Sequence, residues 1–397
     1  MKNKKIMILG AGVYQYPLIK TAKAMGITSV VVSYGGKYPG FRIADEIEYI
    51  DIRDYEKVLE AAVKHQISGI CTVGSDVGVK TIGYVNDALR LNGVSFDSAR
   101  LANNKYEMKQ AFIRSGVRCA KGIKVESVSQ ALDSFLTLGS DVVFKTVDSS
   151  GNRGIIHIIR EDMIESAFQE CISFSRCSYI MVEEYLRGEE IGAEAFIQNG
   201  KVEYILPHRK AVIETNAPVP IGQSVPAGLD SELESDVCDQ VSRGIKALGI
   251  DNSAVNVDIF IEDNKSYIVE IGARAGGGAC LPESVSTYFG FNHYENIINA
   301  AMGEPINLCY KTPIPNAARL LFSDKGGILS QLDTSKVIHP DLIELSLDYS
   351  LGDEIPKFVN KTHRIGHIIV KGITESDAES TVCELCSRIE IEVDSIE

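Results

Sequence analysis

Over the first hundred residues short apolar runs alternate with helix-patterned stretches, and this alternation constrains the fold more than any other feature. Lys5–Leu9, Ser29–Ser33 and Gly69–Val73 read as strands, while Tyr16–Met25, Tyr55–His65 and Val79–Leu91 read as helices. Strands spaced by helices predict a parallel sheet covered by helices rather than hairpins. From about Asn103 the pattern changes. Lys105–Ser115 reads as a helix, and Gly122–Val125 and Asp141–Thr146 as strands around a helix at Ser127–Leu138. A polar loop leads into a strand at Ile155–Ile159 and a helix at Met163–Ser173. Tyr179–Tyr185, Ile191–Gln198 and Lys201–His208 then predict an antiparallel meander. Ile213–Gly228, with three prolines, predicts a mobile loop able to cover a site. Ser231–Leu248 reads as a helix, Val255–Glu262 and Ser266–Ile271 as a hairpin across Asp263–Asn264, and Asn292–Met302 as a helix. Beyond Pro315, strands at Arg319–Phe322, Ile343–Leu347 and Ile365–Lys371 and a helix at Glu375–Ile389 predict a small α+β unit.

A chain of 397 residues is too long for one core and suits two or three domains. The expected class is α/β and α+β, divided as 1–102, 103–310 and 311–397. With 54 acidic against 40 basic residues the formal charge is −14, a field that repels nucleic acid, so phosphate binding has to be local and pre-organised. Nine irregularly spaced cysteines fit reduced thiols in a cytosolic protein, and the lone Cys383–Cys386 pair lacks the second ligand pair of a zinc site. The apolar run after the basic N-terminus is short and enters a strand–turn–helix pattern, unlike a signal peptide. No stretch approaches the roughly 18 apolar residues of a membrane span. A cytoplasmic protein without membrane or nucleic-acid partners is the expectation.

Gly10-Ala11-Gly12 lies between a strand and a helix, as in a dinucleotide fold, but Gln15 stands where the third glycine of G-x-G-x-x-G belongs. The signal is that of a tight turn rather than a nicotinamide site.

Further on, the parts that a nucleoside triphosphate requires follow one another. Lys145 emerges from the apolar strand V-V-F-K beside the loop Ser149–Gly154, whose Ser149, Ser150, Gly151 and Gly154 can bring backbone amides to phosphate oxygens. In M-V-E-E-Y-L-R-G-E-E-I, backbone groups at Glu184 and Leu186 suit an adenine edge, and the Glu190 carboxylate suits ribose hydroxyls. The hairpin V-N-V-D-I-F-I-E-D-N-K-S-Y-I-V-E-I-G-A-R sets Asp258 and Glu270 on paired strands, where two carboxylates on one face repel by roughly a kcal/mol or more unless a cation lies between them. Magnesium, bridging carboxylates and phosphates, is the natural occupant, with manganese an alternative. His208, Arg209 and Lys210 follow an apolar strand and are candidates to recognise a substrate carboxylate.

The order Lys105, Lys145, glycine loop, E-E-Y-L-x-G-x-E, Asp258, Glu270 resembles the ATP-grasp superfamily of carboxylate–amine ligases. Residues 1–102 resemble its biotin-carboxylase-type N-terminal domain, 103–310 the ATP-grasp domain with a mobile lid at about 115–185, and 311–397 the C-terminal domain of the L-amino-acid ligase branch. The resemblance implies that Lys105 and Lys145 contact ATP phosphates, that Ser149–Gly154 is the lid loop, and that Glu183, Glu184 and Leu186 line the adenine slot. It implies magnesium at Asp258 and Glu270, an oxyanion-stabilising role for Arg274, and close substrate approach at Gly276, Gly277 and Gly278. Gly272 departs from the E-x-N pattern of many members, whose asparagine is a further metal ligand.

The expected activity is ATP-dependent joining of a small-molecule carboxylate, an amino acid or metabolite, to an amine, with ADP and phosphate released. A homodimer fits the resemblance. The rival readings are a bicarbonate-activating carboxylase of the same superfamily and a nucleotide-binding protein without turnover.

Overall fold

The computed structural model describes residues 4–149, 153–213 and 219–395. The N-terminal portion runs β1 (Lys5–Leu9), α1 (Tyr16–Ala24), β2 (Thr28–Ser33), β3 (Glu46–Tyr49), α2 (Tyr55–His65), β4 (Gly69–Cys71), α3 (Val79–Leu89) and α4 (Phe96–Ala102). Its four strands are parallel in the order β3-β2-β1-β4, as the alternation requires. At the turn after β1, the Gln15 side chain accepts a hydrogen bond from the Gly12 N–H at 3.0 Å and donates to the Val73 carbonyl. A Cβ at Gly10 would meet Gln15 Oε1 at 2.7 Å, so this side chain fills the turn that a pyrophosphate would need.

Next comes α5 (Lys105–Arg114), capped by Asn104, whose side chain accepts from the N–H groups of Tyr106 and Glu107. A small sheet follows from β5 (Gly122–Val125), α6 (Val128–Leu138), β6 (Val142–Thr146), β7 (Ile155–Ile158), α7 (Ile164–Phe174) and β8 (Ile180–Glu184). Its strands pair antiparallel in the order β5-β8-β6-β7 over a core of their own, in which Phe135, Phe144, Ile158, Phe168 and Val182 are buried.

The rest of the chain centres on an eight-stranded sheet. β9 (Glu189–Gln198), β10 (Lys201–Ile213) and β11 (Val219–Val225) form the meander, followed by α8 (Ser231–Ala247) and the hairpin β12 (Ser253–Glu262) and β13 (Lys265–Gly272). After α9 (Leu281–Phe289) and α10 (His293–Ala301) come β14 (Asn316–Leu321), β15 (Gly327–Asp333), β16 (Leu342–Leu347), β17 (Glu354–Ile355), β18 (Gly366–Lys371), α11 (Glu375–Ser387) and β19 (Glu390–Asp394). The strand order is β13-β12-β9-β10-β11-β14-β18-β16, so β14, β18 and β16 extend the same sheet. β15, β17 and β19 make a separate three-stranded sheet.

One expectation is corrected here. Val219–Val225, read as part of a mobile loop, is a strand paired on both edges, with β10 and with β14. Prolines at its ends misled: Pro220 is its second residue, beside a register shift in the pairing with β10, and Pro226 lies just past its end, where the missing N–H breaks little of the ladder.

The hairpin turn has φ of 50° at Asp263 and 58° at Asn264, the doubly left-handed turn that matches strand twist. On one face of the large sheet, Ile191, Ala193, Val257, Ile259, Ile268 and Ile271 pack on Val237, Val241 and Ile245 of α8 and on Met108 and Phe112 of α5. A register shift after Asp258 inserts one residue in β13, so Ile268 and Ile271 both reach this core while Glu270 stays opposite Asp258.

Candidate functional site

Register across three strand pairs sets the site in rows. Glu270 pairs with Asp258, Asp258 with Gly192, and Gly192 with His208. The neighbouring row, two residues along, is Gly272, Asn256 and Glu194. Residues two apart share a face, so both rows look out from the side opposite the α8 core.

The cations arrive from different elements. Lys105, at the start of α5, places Nζ 3.0 Å from Glu270 Oε1 and 2.9 Å from the Ser149 carbonyl. Burial opposes its charge, but Glu270 outweighs it and holds Lys105 above the ordinary lysine range. Lys210, two residues after His208, bridges Asp258 and Glu190 at 2.6 Å each. Burial penalises both members of the Lys210–Asp258 pair, yet their attraction prevails: Lys210 is raised and Asp258 is lowered.

In the small sheet Lys145 lies 2.7 Å from Glu183, and Lys109 contacts the other oxygen of the same carboxylate at 3.0 Å. Burial would raise Glu183, but Lys145 and Lys109 bring it below the usual carboxylate range. Glu184 accepts from the Lys121 N–H at 3.0 Å, and Leu186 is half-buried in the link to β9. The Ser149 hydroxyl donates to the Arg153 carbonyl at 3.1 Å, and the Gly154 carbonyl accepts from the Thr146 N–H at 2.8 Å. Gly154 has φ of 67° and abuts the Thr146 hydroxyl, so the hairpin closure itself demands glycine. Ser150 and Gly151 lie outside the described residues.

Arg274 is clamped by Asp76, at 2.8 Å, from the turn after β4, and by Asn256 Oδ1 at 3.2 Å. Burial works against its charge and Asp76 overcomes this, raising it above the ordinary range. Arg274 Nε is buried and has no hydrogen-bond partner. A Cβ at Gly272 would come within 3.2 Å of both the Arg274 guanidinium carbon and Asp76 Oδ1. The glycine thus makes room for this ion pair where the E-x-N pattern would place an amide.

The glycine run packs on the protein's own groups. A Cβ at Gly277 would meet Tyr14 Cγ at 3.0 Å, besides Gly74; one at Gly276 would meet Asn256 Nδ2 at 3.0 Å and Glu194 Oε2 at 3.2 Å; one at Gly278 would meet Lys361 Nζ at 2.6 Å. Lys361, from the segment before β18, makes no ion pair among the described residues. Burial, together with Lys210 and Arg274, lowers its pKa despite Asp258. His208 is 3% exposed and neither ring nitrogen has a partner; burial and then Lys210 push its pKa down to about 3. Arg209 is not brought in: it faces the other side of β10, donating to the Ala227 carbonyl at 2.7 Å and pairing with Glu189.

Sequence reasoning missed Asp76, Lys109, Glu194, Asn256 and Lys361. Lys109 carried a signal, one helical turn after Lys105, and Asp76 follows a parallel strand's carboxyl end, where ligands of open sheets gather. Glu194 is a charge within an apolar strand run. Lys361 left none, because only the fold returns it to the glycine loop.

Among the described residues no three or more His, Cys, Asp or Glu side chains gather as a metal cage. Two facing carboxylates with phosphate oxygens and water completing the shell is nevertheless the usual way magnesium is held, so Asp258 and Glu270 fit that ion. No helix among the described residues is long and apolar enough to cross a membrane, and all nine cysteines are free.

The sequence matches the family model for an ATP-grasp domain over residues 102–278 and that for L-amino acid ligase C-terminal domain 2 over residues 319–394. The crystal structure of phosphoribosylglycinamide synthetase from Anaerococcus prevotii is similar at TM-score 0.85 and 30% identity, over 99% of this chain and 100% of that one. That of L-amino acid ligase from Bacillus licheniformis shares the fold at TM-score 0.82 and 17% identity, over 100% of each chain. Alanine–anticapsin ligase of Bacillus subtilis is 20% identical over 262 residues, 59% of this chain and 54% of that protein. The chain spans less than two thirds of the length of the curated relatives it matches. It belongs to the ATP-grasp superfamily of ligases, with a C-terminal domain of the L-amino acid ligase type.

Proposed function

We propose that this protein is an ATP-dependent ligase that activates a carboxylate as an acyl phosphate and couples it to an amine, releasing ADP and phosphate. The observation that carries this reading is the in-register pair Asp258 and Glu270, faced by lysines from α5 and β10. Lys105 and Lys145 hold the phosphates, and the 149–154 loop serves as the lid. Backbone at Glu184 and Leu186, beside Glu183, takes adenine, and Glu190 takes the ribose. Magnesium or manganese at Asp258 and Glu270 supplies charge neutralisation and phosphate orientation.

A carboxylate is a poor electrophile, and phosphorylation gives it a leaving group. Its oxygen attacks the γ-phosphorus in line, the bond to the β-γ bridging oxygen breaks, and ADP departs. The amine then attacks the acyl carbon; Arg274, with an N–H to spare, stabilises the oxyanion; collapse expels phosphate and the nitrogen sheds a proton. Lys210, His208 and Lys361 receive the substrate carboxylate. Lys210 becomes available to it once Glu190 and Asp258 are engaged by ribose and metal. His208, neutral, acts as a hydrogen-bonding group rather than a charge. Loop closure excludes water, which would hydrolyse the acyl phosphate.

The test is magnesium-dependent phosphate release from ATP across pairs of carboxylates and amines, including amino acids and an amine bearing a phosphoribosyl group. Release that requires both partners, with a condensed product, supports the ligase. Release that requires bicarbonate makes the protein a carboxylase, and ATP binding without turnover across a broad panel makes it a binding module.

A further inference from the structure

A buried carboxylate with no place in the scheme above lies behind Arg274. Glu194 and His293 are both 0% exposed, and His293 Nε2 is 3.2 Å from Glu194 Oε1. The other ring nitrogen, Nδ1, lies 2.8 Å from the Tyr204 hydroxyl. Both Glu194 oxygens accept from the Gly276 N–H at 3.1 Å, and Oε2 also accepts from Asn256 Nδ2 at 3.3 Å. An ionised carboxylate accepts and never donates, so Asn256 has to turn its NH2 toward Glu194. Its oxygen is thereby left for Arg274 Nη1, at 3.2 Å. The same carboxylate fixes the backbone two residues beyond Arg274, through Gly276.

We infer that Glu194 is a positioning residue: it sets the Asn256 amide and the Gly276 N–H so that Arg274 is held with its Nε–H unspent. The inference rests on the ligase reading for what Arg274 does, and on the hydrogen bonds alone for how Arg274 is held. A buried charge is costly unless well paired, and here three neighbours, Gly276, Asn256 and His293, satisfy it. Glutamine would keep acceptors for Asn256 and Gly276 only by turning its NH2 to His293 Nε2, which removes the charge and demands the other imidazole tautomer, so the exchange disturbs how Asn256 and Gly276 are set.

The experiment compares wild type with Glu194→Gln and with the reciprocal double variant Glu194→Gln/Asn256→Asp. In the double variant the amide introduced at position 194 accepts from Gly276 and donates to the carboxylate introduced at position 256, whose other oxygen faces Arg274. Two readouts are taken: steady-state kinetics, and the Nε–H nuclear magnetic resonance signal of Arg274, identified by its loss in Arg274→Lys. Glu194→Gln should lower kcat about tenfold or more with KM for ATP within about twofold, and shift the Arg274 signal. The double variant should recover most of kcat and return the signal. An unmoved Arg274 signal in Glu194→Gln, or a double variant no better than the single one in either readout, overturns the inference. Should Glu194→Gln fail to fold, Asn256→Ala tests the same link and should shift the same signal. If wild type turns over no substrate pair, the ligase reading fails, while the resonance still decides whether Glu194 positions Arg274.

Discussion

The small sheet and the large sheet treat charge in opposite ways. In the small one a single buried carboxylate, Glu183, is shared by two lysines, Lys145 from β6 and Lys109 reaching in from α5. In the large one a single lysine, Lys210, is shared by two carboxylates, Asp258 and Glu190. The two bodies also have separate cores, around Phe144 and Val182 in one and around Val257 and Ile268 in the other. Lys105 spans them, touching the Ser149 carbonyl on one side and Glu270 on the other. A triphosphate with its magnesium needs both signs at once, and Lys105 stands where the two sheets present them.

The sharpest way to break this comparison is at Arg274. Arg274→Ala should keep nucleotide affinity and lose ligation by roughly two orders of magnitude or more, the loss typical of one oxyanion donor at about 2.7–4 kcal/mol. Normal product formation by that variant ends its catalytic assignment. Next, Glu270→Gln should weaken magnesium-dependent nucleotide binding by about tenfold or more while leaving metal-free binding little changed. Titration with a fluorescent ATP analogue, with and without magnesium, decides it, and equal affinity in both arms refutes the metal site.

The small sheet offers a paired test. Lys145→Met should lower ATP affinity by about tenfold, near 1.4 kcal/mol, with a minor change in melting temperature because Lys109 still holds Glu183. Lys109→Met removes a more deeply buried partner, one that also donates to the Ala120 carbonyl at 2.6 Å, so stability should fall more than affinity. If the two lysines prove interchangeable in both measurements, the division between phosphate binding and support of Glu183 is wrong.

The last test concerns pH. With a folded-state pKa near 3 against an ordinary value of 6.5, His208 is neutral in the folded protein while the unfolded chain takes up a proton below pH 6.5. Stability from this source is intact above pH 6.5 and drains away as pH falls toward 3, by about 2 kcal/mol at pH 5. His208→Asn should flatten the fall in urea midpoint between pH 7 and pH 5. An unchanged slope would place the loss elsewhere.

Much of this was legible without coordinates. Alternation of runs and helices sufficed for the parallel N-terminal sheet, and the tight turn at Asp263–Asn264 for the hairpin that sets Asp258 against Glu270. Lys145 and Lys105 could be singled out because a lysine on an apolar strand, or at a family motif, is local information. The paired strand at Val219–Val225 escaped, since prolines at its ends mimic a loop and pairing partners lie far along the chain.

By itself, then, the sequence determined most of the helices and site-bearing strands, the hairpin and the carboxylates, because periodicity and turn chemistry act over a few residues. Only tertiary structure decided that Asp76 crosses from the turn after β4 to grip Arg274, and that Lys361 returns to lie over Gly278. It also decided that Glu194 dictates the orientation of Asn256. Such contacts join residues that no local pattern links, and burial gives them their strength by removing the water that would otherwise screen each charge.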